Sequence, residues 1–390
     1  MQVRHKRFED ERGMVLFNSL LILSLLVVVG VAARIMVQTD FKILTNLRGS
    51  TEAFYVADAG IEWGKSEISK STNHPPNPAG GTQNFSTGSF AVSFLSPVVI
   101  SPLSARIVVR SMGEVRNSSH VLQSQIIKTY DLADGAVSLR GNASRVGFAG
   151  NSFLLSGIDH NPATAQAVSA SKPRPAISVA DEVLQSLVEQ SLSNSQQTSA
   201  VQSGGTTPAV AQSDALPALA MSRLADELCS SAHALTTFVP PDGVLTVESE
   251  TWGTRSSPQL RCIDGLAGPG DSVNLRGSTN GAGILIARNT ELIVSGSFHW
   301  EGLIIVTGSN VSFKVMGAES KEIYGALMIN ETGMPGTETG ILDIQGSVRV
   351  LFSRSALSQI VSLIPSTLLQ PAYASLPFVL AQEYWRTVTP

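Results

Sequence analysis

The sequence predicts an α+β fold in which a long amino-terminal helix packs on a small antiparallel sheet and is followed by a glycine-rich β-solenoid. Three observations predict this fold. An apolar run over 14–33 continues without interruption into a polar helical pattern that reaches residue 70. Alternating strand patterns fill 82–130, and beyond them short apolar segments bounded by glycine recur about every twenty residues.

The apolar run is long enough to cross a bilayer, since about 20 residues at 1.5 Å each span roughly 30 Å. A cleaved secretory signal would have an apolar core of about 7–15 residues and a small-residue exit, whereas Arg34 closes this longer run. We therefore expect a retained single-pass helix. Its short tail should stay cytoplasmic because four basic residues precede the run: Arg4, Lys6, Arg7 and Arg12.

The polar half of this helix has an apolar stripe whose members recur at spacings of four and three. They are Ile43, Leu47, Phe54, Ala57, Ile61 and Ile68, with Ser50 and Gly64 in the two gaps. The proline-rich segment after Lys70 predicts the end of the helix, because proline breaks the helical hydrogen-bond pattern.

Residues 82–130 have the alternation of half-buried strands. Phe90, Val92 and Phe94 alternate with small or polar neighbours, and Ile107 and Val109 do the same. A sheet this small is not stable alone, so we expect the apolar stripe of the helix to complete its core.

The regions 131–160 and 241–352 are predicted to form the solenoid. Its clearest repeats are three apolar segments that begin with glycine: 283–287, 302–306 and 325–329. Short strands at such a period indicate stacked rungs, each of which buries its face against its neighbours. Residues 136–159 resemble an earlier rung, and 341–352 a later one. An antiparallel sandwich also has short glycine-bounded strands and remains the alternative.

Residues 161–240 are predicted to be an insertion carried on the outside of the solenoid. Helical spacing is found at 181–192 and 214–235, and the Ser- and Gln-rich stretch 193–213 between them is typical of a flexible linker. Residues 353–390 form a carboxy-terminal segment. Cys229 and Cys262 both lie in the exported part, where they could form one disulfide; two buried free thiols are the alternative.

Composition and motifs argue against several function classes. The net charge of −4 offers no basic patch, so nucleic acid is not an expected partner. Asp159 and His160 have no nucleophile motif beside them, and Asp271 and Asn274 lack the acidic repeat of a calcium loop. We therefore predict no catalytic residue, no metal site and no cofactor.

Two segments carry a resemblance to a known family. Glu11-Arg12-Gly13-Met14-Val15-Leu16 with the apolar run after it, and Ala53-Phe54-Tyr55-Val56-Ala57-Asp58-Ala59-Gly60-Ile61-Glu62, resemble the amino-terminal region of type IV pilin-like proteins. The similarity is strongest to PilX-type minor pilins. It implies that residues 1–13 are a leader, that a prepilin peptidase cuts between Gly13 and Met14, and that Met14 becomes the methylated first residue of a helix over 14–70.

The chain departs from the family at one position. Major pilins usually carry Glu at the fifth residue after the cut, where this chain has Asn18. An amide cannot make the charge-assisted contact of a carboxylate with a neighbour's terminal amine. PilX-type and tip-type minor subunits often lack that Glu, so the resemblance implies a minor subunit. We predict that the helix packs through six residues: Leu16, Asn18, Leu20, Leu23, Val27 and Val31.

The resemblance implies a minor pilin or pseudopilin that assembles into, or primes, a type IV pilus or type II secretion filament. It would be located in the bacterial inner membrane, with its carboxy-terminal part exported or on the pilus surface, and its partners would be other such subunits. The alternatives are a membrane-anchored solenoid adhesin, with 161–240 as its binding region, and a polysaccharide-acting enzyme. The enzyme would need a groove lined by paired carboxylates, and the predicted rungs are poor in Asp and Glu.

Overall fold

The predicted α+β class, with a solenoid in its distal part, is confirmed by the structure. The computed structural model describes residues 7–141, 145–150, 152–168, 172–266, 268, 270–333, 340–365, 367–369 and 373–388. Arg4, Lys6 and the rest of residues 1–6 of the predicted leader lie outside the described residues.

Helix α1, Arg7–Lys70, contains 64 residues and is about 96 Å long at 1.5 Å per residue. It begins seven residues before Met14, because the charged segment there contains good helix formers and no proline. It ends where the proline-rich segment predicts. It is long enough and apolar enough to cross a membrane, and among the described residues it is the one helix that meets both conditions.

The first sheet is antiparallel throughout and lies against the outer part of α1. Its first five strands are β1 Gly81–Asn84, β2 Ser89–Phe94, β3 Val98–Ser101, β4 Ser104–Val115 and β5 Ser118–Tyr130. Strands β2 and β3 pair with successive parts of β4, and β4 pairs with β5. Ala57, Ile61 and Ile68 of the helix enter the core of this sheet, as predicted. The helix therefore completes a core that the sheet lacks by itself.

The chain next makes one rung of the solenoid and then the insertion. The rung consists of β6 Val137–Gly141, β7 Arg145–Phe148 and β8 Phe153–Ser156. The insertion contains β9 Ile177–Val179, α2 Glu182–Asn194, a 3-10 turn Thr198–Ala200, β10 Val201–Gln202, β11 Val210–Gln212 and α3 Ala218–Cys229. The prediction of a flexible linker at 193–213 was wrong: Val201 and Val210 are buried, and their strands pair with β8 and β9.

The remaining rungs follow consecutively. Their strands are β12 Ala234–Phe238, β13 Val244–Glu248, β14 Thr251–Trp252, β15 Gln259–Asp264, β16 Ser272–Arg276, β17 Ser278–Arg288, β18 Glu291–Val294, β19 Ser297–Gly308, β20 Ser312–Val315, β21 Lys321–Glu331, β22 Gly340–Ile344 and β23 Val348–Phe352. All pairings between these strands are parallel, as in a solenoid and unlike the alternative sandwich.

Three glycines turn the long strands from one face of the solenoid to the next. Gly283, Gly302 and Gly325 are paired in register and have φ values of 137°, 136° and 138°. L-residues rarely adopt this conformation, so glycine is required at each corner. As a result the two halves of β21 pair with different strands. Residues 322–325 pair with β23, and residues 327–331, which follow the corner, pair with β6.

The rung that comes first in the sequence stacks last in space. Strands β6, β7 and β8 pair with β21, β22 and β23, so residues 137–156 continue the solenoid beyond residue 352. The insertion then carries the chain back along the outside to the opposite end, with α3 lying over β15, β17, β19 and β21. The order of this rung was not predicted. The insertion lies outside the solenoid only in part: α3 lies over the rungs, whereas β9 and β10 pair with solenoid strands β6 and β8.

The carboxy-terminal segment returns to the first sheet. After α4 Arg354–Gln359 and a 3-10 turn Ile360–Leu363, strand β24, Phe378–Val388, pairs antiparallel with β5. Asp131 fixes the junction between sheet and solenoid, since its carboxylate accepts hydrogen bonds from Arg174 at 2.5 Å and Arg354 at 3.0 Å. Both arginines lie in or beside solenoid elements, so this buried ion cluster joins the two parts.

Candidate functional site

The largest surface that the fold leaves uncovered is the inner half of α1. Every residue from Met14 to Arg48 is exposed, and Gly49 is the first buried one. The sheet ends there because the turn between β4 and β5 brings Ser118 against Gly49. We call residues 14–48 the free half of α1 and residues 49–70 the docked half.

Five of the six predicted packing residues share one side of the free half. Leu16, Leu20, Leu23, Val27 and Val31 follow spacings of four, three, four and four, which place them within about 80° on a helix. Asn18 lies roughly 140–220° away from them, on the other side. The structure therefore does not bring Asn18 together with the apolar five, and the sequence grouping was too simple.

Polar side chains within the free half are bonded to the helix itself. Ser19 Oγ donates to the Leu16 carbonyl and Ser24 Oγ to the Leu21 carbonyl, both at 2.8 Å. These contacts lower the cost of placing hydroxyls in an apolar environment. The predicted membrane-spanning part therefore presents a nearly uniform apolar surface.

The apolar surface continues well beyond the length that a bilayer needs. Residues 34–48 add about 22 Å to the 20-residue apolar run. They include large apolar side chains that are between 52% and 70% exposed: Ile35, Met36, Val37, Phe41, Ile43, Leu44 and Leu47. The predicted stripe thus reaches the sheet only from Ser50 onward, and its members Ile43 and Leu47 remain exposed. Seven such residues on one solvated segment indicate an interaction surface.

Small residues allow the docked half to lie directly on the sheet. A Cβ atom built at Gly113 of β4 would lie 2.9 Å from the Ala57 Cα and closer still to the Ala53 carbonyl oxygen and the Ala57 nitrogen. Gly60 is equally tight against the Ser111 hydroxyl. This packing role was not predicted from the sequence for either glycine, although Gly60 lies in the segment 53–62 that carries the resemblance. The signal that could have found Gly60 is its place among Ala53, Ala57 and Gly64 on one face.

A buried lysine holds the outer end of α1. Lys128 Nζ donates to the carbonyl oxygens of Ile68 at 3.0 Å, Ser69 at 3.3 Å and Ser71 at 2.7 Å. Its ammonium also lies 4.1 Å from the centre of the Phe378 ring. Burial lowers the pKa of Lys128 to about 8. The contact satisfies carbonyls that a helix end leaves without intrahelical partners.

An aromatic group holds the inner end of the docked half. The Phe54 ring lies 5.4 Å from Trp385 and 6.0 Å from His120, and His120 Nε2 is 2.8 Å from the Ser50 hydroxyl. Trp385 comes from β24, so the carboxy-terminal strand clamps the helix where it leaves the sheet. With Lys128 at the other end, the docked half is fixed at two points and the free half projects from it.

Acidic residues on the docked half pair within the helix. Glu52 accepts from Arg48 at 2.8 Å, and Glu62 accepts from Lys65 at 2.5 Å. Both pairs are at the surface, where such contacts contribute at most about 1 kcal/mol. They keep this face soluble without creating a reactive site.

The predicted processing and disulfide residues lie in different elements. Gly13 and Met14 are within α1, and the Met14 side chain is exposed. Cys229 and Cys262 are bonded to each other, with Cα atoms 5.7 Å apart, which ties the end of α3 to β15. The bridge therefore fixes the insertion to the solenoid.

The polar loops have structural roles in the described part of the chain. Asp271 accepts from the backbone nitrogens of Leu266 and Gly268, both at 2.9 Å, which closes a turn. Asp159 accepts from the Arg354 backbone nitrogen at 2.9 Å, at the junction. Among the described residues there is no group of three or more His, Cys, Asp or Glu side chains placed to hold a metal ion.

Comparisons with known proteins add little. No protein-family model matches the sequence, and no curated protein matches it. Among solved structures, the chain is similar to the competence-associated pilin ComZ of Thermus thermophilus, with 11% identity over 87% of this chain and 98% of that one, at a TM-score of 0.27. A likeness this weak assigns neither fold nor function.

Proposed function

We propose that the chain is a pilin-like subunit that joins a filament by laying the free half of α1 against the corresponding helices of other subunits. The observation that supports this most is the exposed apolar surface over 34–48. A bilayer covers about 20 residues of helix, and the sheet covers residues 49–70. The segment between them has no cover within the described chain, and a bundle of similar helices would supply it.

More specifically, we propose a minor pilin or pseudopilin of the PilX type, which waits in the bacterial inner membrane until its leader is removed after Gly13. Removal would leave Met14 as the new first residue, so that the new α-amino group lies at the same end of the helix as Leu16 and Asn18. The basis is the resemblance of the segments around Gly13 and Gly60 to that family. Amino-terminal sequencing should then begin at Met14 in wild-type protein, and Gly13→Ala should retain the leader.

Asn18 would restrict where the subunit can insert. It lies across the helix from the apolar five, where a carboxylate in major pilins is thought to reach a neighbour's amine. A neutral amide loses the charge-assisted part of that contact. In this function the chain has an assembly role and no catalytic one, and its solenoid would lie on the outside of the filament.

The decisive variant is Leu44→Lys. Leu44 is exposed in the free half, outside the predicted membrane span, so lysine there should not disturb folding. Val183→Lys is the matched control, because Val183 on α2 is 79% exposed and lies on the solenoid insertion. We expect Leu44→Lys to be lost from sheared filaments by immunoblot and Val183→Lys to be retained. Equal incorporation of the two variants would refute the proposed surface.

A further inference from the structure

The two ends of the solenoid differ in how they are covered. At the end formed by 137–156, strand β9 pairs with β6, β11 pairs with β9 and β10 pairs with β8. Helix α2 packs on β7 at the same end. The chain therefore supplies its own cap there, as stacked rungs require.

The opposite end is formed by residues 234–252, which we call the open rung. Strands β12 and β13 are the last members of their sheets among the described strands. Four of the five residues of β12 are exposed, and three apolar side chains are 47%, 69% and 48% exposed: Leu235, Phe238 and Val244. Interior rungs, by contrast, bury 8 of the 11 residues of β17 and 9 of the 12 residues of β19.

Backbone groups of the open rung face outward. The Val239 nitrogen donates to the Asp264 carbonyl, and the Ser249 nitrogen donates to the Arg276 carbonyl, so these residues point toward the second rung. Strand residues alternate in direction. Thr236 and Thr246 therefore direct their peptide N–H and C=O groups to the free edge, which is a template for a further strand.

The mouth of the open rung contains both apolar and charged side chains. Leu245, which is half-buried, and Val247, which is 8% exposed, stack on Val273 and Leu275 of the next rung, and no further rung follows them among the described strands. Together with Trp252 they line a small cavity of about 110 Å³, whose wall also includes Glu250 and Arg261. Side chains at alternate positions of an added strand could enter it.

The open rung is acidic. Residues 232–254 contain three exposed acids, Asp242, Glu248 and Glu250, and no lysine or arginine, and these acids outnumber the two arginines of the second rung beside them, Arg261 and Arg276. Two copies brought together through this end would therefore repel each other, whereas a basic segment would be attracted. Charge thus selects between the occupants that a free strand edge could accept.

We propose that the open rung binds an extended segment of another protein, with apolar residues at alternate positions and lysine or arginine between them, which pairs with β12 and β13 as an additional rung. The backbone edge would supply affinity, and the cavity and the three acids would supply selectivity. This inference does not depend on the filament role, because it rests only on the solenoid.

The test uses the full chain in detergent micelles and a fluorescein-labelled synthetic peptide of about nine residues, in which valine alternates with lysine or threonine. The comparison peptide has glutamate in place of lysine. Binding is followed by fluorescence anisotropy. We expect the basic peptide to bind at least ten times more tightly than the acidic one, and binding to weaken with added salt.

Two variants locate the site. Thr246→Pro removes an outward N–H group while leaving the bonds of Leu245 and Val247 to β16, and proline is tolerated at edge strands. Asp242→Lys with Glu248→Lys reverses the charge and keeps every backbone N–H and C=O group of β12 and β13, so it tests the site if the proline variant does not fold. Each should weaken the basic peptide at least tenfold.

Three outcomes would overturn the inference. They are undetectable binding of the basic peptide to wild-type protein, equal binding of wild type and the charge variant, and self-association of the full chain that is lost in Thr246→Pro. The last outcome would identify a second copy as the occupant.

Discussion

Replacing Gly113 with alanine tests how closely the helix lies on the sheet. The added methyl group would meet the backbone of α1 on both sides, at the Ala53 carbonyl oxygen and the Ala57 amide, with the Ala57 Cα 2.9 Å away. Backbone atoms cannot rotate aside as a side chain can. The helix must therefore move off β4 by several tenths of an ångström or more.

Such a displacement affects the whole docked core. Ala57 and Ile61 are buried against Ile107 and Val109, and a separated interface loses dispersion contacts along its length. Overpacking of this kind typically costs about 1–3 kcal/mol. We expect Gly113→Ala to fall near the upper end of that range, because the clash involves backbone on both sides.

Urea unfolding in detergent, followed by the combined fluorescence of the four tryptophans, of which Trp63 lies on the docked half, measures this cost. Gly30→Ala is the control, since a Cβ atom at Gly30 has nothing within 4 Å. The control should lose no stability. A free energy of unfolding for Gly113→Ala within about 0.5 kcal/mol of wild type would refute the close approach of helix and sheet.

Further predictions concern Lys128, the disulfide and Asn18. Burial lowers the pKa of Lys128 from 10.5 to about 8, so between these pH values the unfolded chain binds a proton that the folded chain lacks. The melting temperature of the wild-type protein should therefore rise with pH across this window relative to that of Lys128→Met. Parallel curves of melting temperature against pH would contradict this. Reduction of the disulfide between Cys229 and Cys262, which are 33 residues apart, should lower the free energy of unfolding in urea by about 3–4 kcal/mol. Two free thiols found by titration before reduction would exclude the disulfide. Asn18→Glu should raise the amount of subunit in sheared filaments; unchanged immunoblot intensity would count against its role.

The elements that repeat locally could be predicted from sequence. The stripe through Ala57, Ile61 and Ile68 follows from helical periodicity, and the corner glycines Gly283, Gly302 and Gly325 follow from their regular recurrence. Both patterns are satisfied by neighbouring residues or adjacent rungs. Local spacing is sufficient in such cases, because the periodicity itself specifies which face is buried.

Pairings between distant segments could not be predicted. Strand β24 joins β5 across more than 240 residues, and its strand pattern does not indicate its partner. The rung at 137–156 fits either end of a stack, because rungs of similar pattern offer similar edges. The Ser- and Gln-rich composition around Val201 and Val210 indicated a loop, whereas two buried valines were enough to add short strands to the capped end.

At the functional surface, the structure differs from the prediction in how much of the apolar stripe the sheet covers. Ile43 and Leu47 continue the periodicity of the docked half but lie beyond the sheet. Periodicity shows that a face is apolar and does not show what covers it. The structure separates the two cases by showing where the sheet ends, at Gly49.

The most direct measurement of the central claim is photo-crosslinking from position 41 in living cells. A photoreactive amino acid replaces Phe41 in the free half, and a second protein carries it at Val183 on α2 as the control. We expect the probe at position 41 to form adducts whose partner peptides, identified by mass spectrometry, come from the apolar amino-terminal helices of other subunits. Adducts with lipid alone, or the same partners from position 183, would contradict a helix laid against its neighbours.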